Sequence, residues 1–543
     1  MTVIAGSGFF IRMYLSLTHP VPGIGGTYTE GLLKEPHTIN PIYAAQDTDR
    51  DLTKLIYSGL LTYNGQGVIE PDLAEKYEIS EDGKIYTVFL KKNLEWHDGT
   101  PLTADDVVFT IKTIQNPQYK SVLRANWQGV TVKKIDDQTL TFTLHIPYTP
   151  FIENLTIGII PQHLWETITP EQALIHELNL KPIGSGPFEF NGYKQAKDGN
   201  IIQYNLTRNP LYYRSGPYLA KVNFKIYGTE EEATVALHKN QIDGFGPLSR
   251  KKMMEFDKNQ ISLFSLSMPR IIGIFFNEKN NEALQDQKIR QAIAIAINKT
   301  EIAKSATSGG AVTADSPIPF LNFGNKNGTS YTYNPTEAEN ILENDDWVRD
   351  EENDNFRSKT TKKGKSITMV PLEIKLTTSD WPDLLRTSEM IKNDLEKIGI
   401  RVELEQKNFS DLERTIIRPR DFEMLLFGQV YGYESDPFSF WHSSQIKDPG
   451  LNISLYNNKK VDGILEDIRK TYDPRKKNEY LQELSETLAE DLPAIFVYSQ
   501  LYSYLLPANI QGVDLAKISL PSDRFNEINN WYIDTNRAWG SKK

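Results

Sequence analysis

The apolar positions of this chain switch between a period of two and a period near 3.6, and the switches mark out its elements. Lys84 to Leu90 (KIYTVFL) is β-branched and aromatic with apolar residues on both faces, which predicts a strand covered on both sides. Asp98-Gly99 is a turn pair with Pro101 behind it. Thr103 offers an N-cap oxygen with Asp106 three residues on, a variant of the capping box. Val107, Ile111 and Ile114 then form a helical stripe that Asn116-Pro117 stops. From Thr139 to Ile146 the apolar residues alternate with threonines and His145, which predicts a half-buried strand with His145 toward solvent. Val222, Phe224 and Ile226 make another strand, and Thr229 caps the helix after it, with Glu232 at the capping-box position.

The segment from Asp286 to Phe427 carries the clearest alternation of elements. Ile289, Ile293, Ala296 and Ile297 line one face of a helix, Asn298 caps a second, and Asn334-Pro335 opens a third. Leu372, Ile374 and Leu376 predict a strand, 384–398 a helix stopped by Gly399, and Ile400, Val402 and Leu404 the next strand. A short helix near 410–417 leads to the apolar run Phe422 to Phe427. Strand, helix, strand, helix, strand is the pattern of a parallel sheet with right-handed crossovers. Asn344 to Lys365 is a charged insertion read as a solvated hairpin, since its acidic residues lack the glycine and terminal glutamate spacing of a calcium loop. Two further helices are expected at about 459–471 and 474–490. Residues 1–26 end in Pro20, Pro22, Gly23, Gly25 and Gly26, which reads as a linker, with order beginning near Thr27.

Size and composition narrow the class. A chain of 543 residues exceeds one core and suggests about three or four domains. Its hydrophobic share of 39% is that of a globular protein, and a net charge of −11 argues against nucleic acid as partner. With no cysteine, there is no disulfide, thiolate nucleophile, cysteine-bound metal or lipobox. No run approaches the roughly 18 apolar residues of a spanning helix. Val3 to Leu17 is apolar but interrupted by Arg12 and lacks a basic leader, so a signal or anchor is expected upstream of Met1.

Catalytic motifs fail in turn. Gly364-Lys365-Ser366 has Lys359 where a phosphate loop needs glycine, His176-Glu177 continues without a second histidine, and Gly184-Ser185-Gly186-Pro187 is no dinucleotide fingerprint. His97, beside Asp98, is read as a turn residue packing under Trp96. A carboxylate-pair hydrolase leaves no such motif, because the pair meets only in the fold.

Several motifs, in order, carry a resemblance: Pro71 to Pro117, Pro182 to Phe188 (PIGSGPF), Arg208-Asn209-Pro210 with Tyr212 and Tyr213, Leu237 to Asp243, Arg290-Gln291-Ala292 with Ala296 to Lys299, Tyr333 to Leu342, and Ala489 to Pro493. In these the chain resembles the bacterial extracellular solute-binding proteins of family 5, the oligopeptide, dipeptide and nickel type. The resemblance implies an α/β, three-lobed periplasmic-binding-protein-like fold (type II, cluster C), with mixed sheets, flanking helices and a hinge between two main lobes. Lobe I would comprise 27–72, 184–273 and 501–543, lobe II 73–183 and lobe III 274–500. Ile271 to Asn277 and a return near 495–503 would be the crossing strands.

The same resemblance implies a non-enzymatic receptor that captures a small ligand, foremost a peptide, outside the cytoplasmic membrane and delivers it to an ABC permease. It implies no cofactor, no nucleic acid and a monomer. Oligosaccharides or nickel chelates are the alternative ligands, and a hydrolase on the same scaffold is the remaining one. The family's amine-binding aspartate falls in the loop Gly428 to Trp441 (GQVYGYESDPFSFW), where alignment on Gly432 and Asp436-Pro437 puts Tyr433 in its place and Glu434 beside it. The expected ligand-binding residues are Glu30, Phe245, Tyr431, Gly432, Tyr433, Glu434, Asp436 and Trp441.

Overall fold

Short-range chemistry sets the helix ends. Thr103 closes a full capping box on the helix Ala104–Gln115, with its side chain accepting from the first turn and Asp106 reaching back to the Thr103 backbone. Asn298, Asn334 and Asp473 cap Lys299–Ser305, Pro335–Glu343 and Pro474–Asp491, and the last two begin with proline at the first position, where no intrahelical N–H is needed. Each such cap contributes about 1 kcal/mol. These boundaries match the sequence expectations to within one or two residues.

The computed structural model describes residues 17–257, 260–307, 310–318, 331–363, 366–433 and 436–539. They divide into two compact units, one of 1–147, 151–266 and 503–543, the other of 148–150 and 267–502. The chain passes from the first to the second inside the strand Ile261–Phe276 and returns inside Ala494–Pro507. The passage falls between Leu266 and Ser267, a few residues before the Ile271 to Asn277 segment expected to cross.

In the first unit one four-stranded sheet runs Gly25–Leu32, Leu219–Ile226, Ile201–Arg208, Phe188–Gln195, with Gly25–Leu32 parallel to Leu219–Ile226. A second four-stranded sheet is antiparallel and contains Ile85–Leu90, which is covered on one face and not on both as the apolar run predicted: Tyr86, Val88 and Leu90 are buried, while Ile85 is exposed and Thr87 and Phe89 are half-buried. Thr139–Thr143 pairs beside it, and His145 is exposed. His97 sits in its turn with Nε2 3.1 Å from the Gly186 carbonyl and Nδ1 accepting from the Gly184 N–H, a structural role. Gly184 is required there, because a Cβ would lie 1.9 Å from the Ile56 carbonyl oxygen.

The N-terminal linker expectation needs correction. Thr18–Pro22 is a strand, paired antiparallel with Thr535–Trp539, and Arg537 donates to the Thr18 hydroxyl at 2.7 Å and to its carbonyl. Pro20 and Pro22 are tolerated because, among the described residues, this ribbon pairs two strands, and proline fits the edge of such a pairing.

The second unit is built on a six-stranded sheet ordered Ala311–Thr313, Ala494–Pro507, Ile261–Phe276, Met424–Val430, Glu373–Ser379, Arg401–Lys407. Glu373–Ser379 is parallel to both of its neighbours, as the alternating elements required. Successive residues feed opposite faces: Ile272, Ile274, Met424 and Leu426 join one core cluster, while Ile271, Phe275 and Leu425 join another. The charged insertion forms the three-stranded sheet Val348–Arg349, Arg357–Lys363, Ser366–Pro371.

Candidate ligand-binding site

Three parallel strands of the second unit end at one edge, at Ser379, Lys407 and Val430. Ligands of open α/β sheets gather outside such carboxyl ends. Here the chain supplies aromatic rings at that edge. Trp381 follows Glu373–Ser379 as the N-cap of Pro382–Lys397, Phe409 follows Arg401–Lys407 as the first residue of Phe409–Leu412, and Phe427 lies on Met424–Val430. Trp381 and Phe409 stack with centroids 5.7 Å apart and planes within 7°, and Phe409 stacks on Phe427 at 6.2 Å and 20°. Trp381 is 51% exposed and Phe409 40%. Rings this open gain little from burial where they stand, so the row forms an apolar shelf with faces left to offer.

The loop after Val430 is anchored next to this shelf. Asp436 accepts from Arg469 Nε at 2.9 Å and Nη2 at 2.6 Å, and the guanidinium lies 3.7 Å from the centroid of Phe438. Tyr431 is buried, donates to Gln429 Oε1 at 3.1 Å, and accepts from Trp441 Nε1 at 3.3 Å. Burial pushes its phenol well above the ordinary range. Trp441 packs in the same core against Phe496. Gly432 is exposed and Tyr433 half-buried. Glu434 lies outside the described residues.

Glu30 and Phe245 belong to the first unit and are both fully buried. Glu30 sits on Gly25–Leu32, where a bridge to Gly244 brings it beside Phe245. Its Oε1 accepts from Arg524 Nη2 at 3.0 Å and Nε at 3.2 Å, and its Oε2 accepts from the hydroxyls of Tyr28 and Tyr504. Arg524 also grips Asp51 by two bonds, of 2.8 and 2.6 Å. Two carboxylates thus share one guanidinium away from water. Burial raises the pKa of Glu30, with Arg524 opposing, and pushes Asp51 up to about 6 for the same reason. Gly244 must be glycine, because a Cβ would stand 1.8 Å from Tyr28 Oη.

The expected site residues therefore separate. Glu30, Phe245, Tyr431 and Trp441 have no surface with which to meet a ligand in this arrangement: they are core or buried-network residues. Asp436 clamps the loop. Gly432 and Tyr433 retain access. Sequence reasoning did not single out Trp381, Phe409 and Phe427, although a signal was present as an aromatic two residues past the end of each of two parallel strands, Glu373–Ser379 and Arg401–Lys407.

A depression of about 540 Å³ lies at the other ends of these strands, among Asn277, Glu278, Arg290, Tyr456 and Asp491. Its buried cation is already saturated, since Arg290 donates to the carbonyls of Leu284, Asp491 and Leu492 and pairs with Glu278 at 3.3 Å. Among the described residues no group of three or more His, Asp or Glu side chains is placed to hold a metal ion.

Comparison with known proteins decides the family. Residues 68–449 match the family described as bacterial extracellular solute-binding proteins, family 5 Middle. The chain belongs to this family. The oligopeptide-binding protein AppA of Bacillus subtilis is 28% identical over 521 residues, covering 94% of this chain and 92% of AppA. The structure of that protein in complex with a nonapeptide has a TM-score of 0.69 at 26% identity, covering 95% of this chain and all of the other. The dipeptide-binding protein of Escherichia coli is 28% identical over 495 residues, 85% of this chain and 87% of that one. NikZ from Campylobacter jejuni in complex with Ni(L-His) has a TM-score of 0.70 at 25% identity, with 93% and 99% covered. The family 5 chain thus shares the periplasmic-binding-protein fold of these relatives, which accounts for the mixed sheets and the discontinuous first unit.

Proposed function

We propose that this protein is the substrate-binding component of an ABC importer, and that it carries a peptide to a membrane permease without changing it covalently. The observation that carries the reading is the half-exposed aromatic shelf of Trp381, Phe409 and Phe427 at the carboxyl edge of the parallel strands. In a member of a solute-binding family, such a shelf suits the apolar side chains of a ligand. Gly432 and Tyr433, before the point where Asp436 and Arg469 pair, complete the proposed contact set, with Glu434 next to them in sequence. Tyr431 and Trp441 support the loop from within the second unit, and Glu30 and Phe245 lie in the core of the first. A three-lobe division at the boundaries given above, a monomeric state and an extracytoplasmic location are parts of the same proposal. No helix among the described residues is long and apolar enough to cross a membrane.

Mass spectrometry of small molecules released from the purified protein tests the proposal, together with thermal-shift screens of peptides, oligosaccharides and metal chelates. A ligand at about a hundred times its Kd adds roughly 2.7 kcal/mol to stability. Peptides among the released molecules and a peptide-dependent shift are expected. A shift with chelates or sugars alone would overturn the peptide assignment, and turnover of a screened compound would overturn the receptor reading.

A further inference from the structure

Three segments of the first unit frame a cavity of about 300 Å³, at the lower end of the range of small-molecule sites. They are the end of Ala104–Gln115, the short helix Arg124–Trp127 with the turn after it, and the start of Thr131–Asp136, whose partner strand Thr139–Thr143 leads to His145. The frame is held by hydrogen bonds. Gln115 Nε2 donates to the carbonyls of Trp127 and Val130, at 2.9 and 2.6 Å, and Arg124 Nε donates to the Gln115 carbonyl at 3.2 Å. Trp127 and Val130 are buried and give the cavity an apolar wall. Gly129 holds φ at +80°, and a Cβ there would stand 3.2 Å from His145 Cδ2, so glycine lets the imidazole lie against the turn.

The charge of this lining has one sign. Its ionisable residues are Arg124 and His145, with no Asp or Glu, in a chain of 71 acidic and 60 basic residues. The bond from Arg124 Nε orients the guanidinium and leaves both Nη groups to solvent, and among the described residues neither Arg124 nor His145 has a carboxylate within ion-pair distance. Arg290 and Arg420 differ: the carbonyls of Leu284, Asp491 and Leu492 take the first, and those of Ile417, Ile446 and Gly450 the second.

We propose that this cavity is a second binding site, for a small phosphate monoester. A guanidinium with two free Nη groups matches an oxyanion by paired hydrogen bonds. His145 and the Thr131 hydroxyl line the same space and add donors, which suits the three free oxygens of a phosphate monoester better than the two of a carboxylate. The wall of Trp127 and Val130 takes the short carbon skeleton. The phosphate has two sources, a soluble ester or the headgroup of a lipid.

The test uses the full-length chain. Glycerol phosphate, lactate and sodium chloride are titrated at matched ionic strength by calorimetry, and sedimentation is measured with vesicles of phosphatidylcholine containing phosphatidic acid. Glycerol phosphate is expected to bind saturably, lactate more weakly and chloride not at all. Arg124→Gln should weaken glycerol phosphate about tenfold, the worth of one charge-assisted hydrogen bond, and Arg124→Lys should keep part of the affinity. His145→Gln should weaken it less than Arg124→Gln does. Both side chains are exposed, so the melting temperatures without ligand should stay unchanged. Sedimentation that needs phosphatidic acid and is lost in Arg124→Gln assigns the headgroup, and saturable glycerol phosphate binding without sedimentation assigns the soluble ester. Equal binding of lactate overturns the phosphate assignment. Absence of both saturable binding and sedimentation overturns the site, as does binding that Arg124→Gln leaves intact. The receptor reading stands under either result.

Discussion

Replacing Asp51 with asparagine should change how the protein's stability depends on pH, in a direction fixed by the buried cluster. Arg524 is 1% exposed in its side chain, Glu30 0% and Asp51 3%, so two acids share one cation in a desolvated pocket. Burial pushes Asp51 from 3.8 up to about 6, which means the folded protein holds this proton more tightly than the unfolded chain does. Stability linked to the group is therefore complete below about pH 4 and is lost as pH rises through about 6. A separation of about two units corresponds to roughly 3 kcal/mol. Other carboxylates contribute slopes of their own, so the informative quantity is wild type minus Asp51→Asn. Urea unfolding at steps between about pH 4 and pH 7 reads it, with tryptophan fluorescence as signal; Trp531 lies 5.7 Å from Tyr28 in the same neighbourhood. The difference should fall by about 3 kcal/mol across that window. A difference that is flat, or that rises with pH, would refute the argument that burial outweighs the shared guanidinium at Asp51.

Arg524→Met should destabilise the first unit by about 3–5 kcal/mol at neutral pH, and by less in acid, where both carboxylates take up protons; denaturant midpoints at two pH values check this. Gly184→Ala drives a methyl group into the Ile56 carbonyl and should cost about 3 kcal/mol, read as a lowered calorimetric transition; an unchanged melting curve would show that the turn can relax. Phe409→Ala should weaken the best-bound peptide about tenfold, near 1.4 kcal/mol, while barely moving the melting temperature, because the ring is 40% exposed. Unchanged affinity would remove the shelf from the site.

Legibility followed the range of the interactions. The Thr103 capping box, the proline-led helices and the parallel run from Glu373 to Val430 were readable because each depends on neighbours a few residues away. Thr18–Pro22 was misread because its partner lies at the far end of the chain, and proline and glycine alone suggest a linker. The site was legible only in part. The aromatic loop at 428–441 was expected to line it, but which of its rings face inward depends on Gln429 and Phe496, and composition does not disclose those contacts. Glu30 was expected at the cleft because family members line it from the first strand, yet its counter-charge Arg524 is almost five hundred residues away. Trp381 and Phe409 each look ordinary at the start of a helix, and only the parallel register aligns them.

The two-faced strands of the second unit also constrain how its sequence can change in length. Ile271 and Ile272 serve different cores, as do Leu425 and Leu426. Gaining or losing one residue within 267–276 or 424–430 would turn every later side chain to the wrong core, whereas a change of two would restore the alternation. Relatives that differ in length there should do so by even numbers.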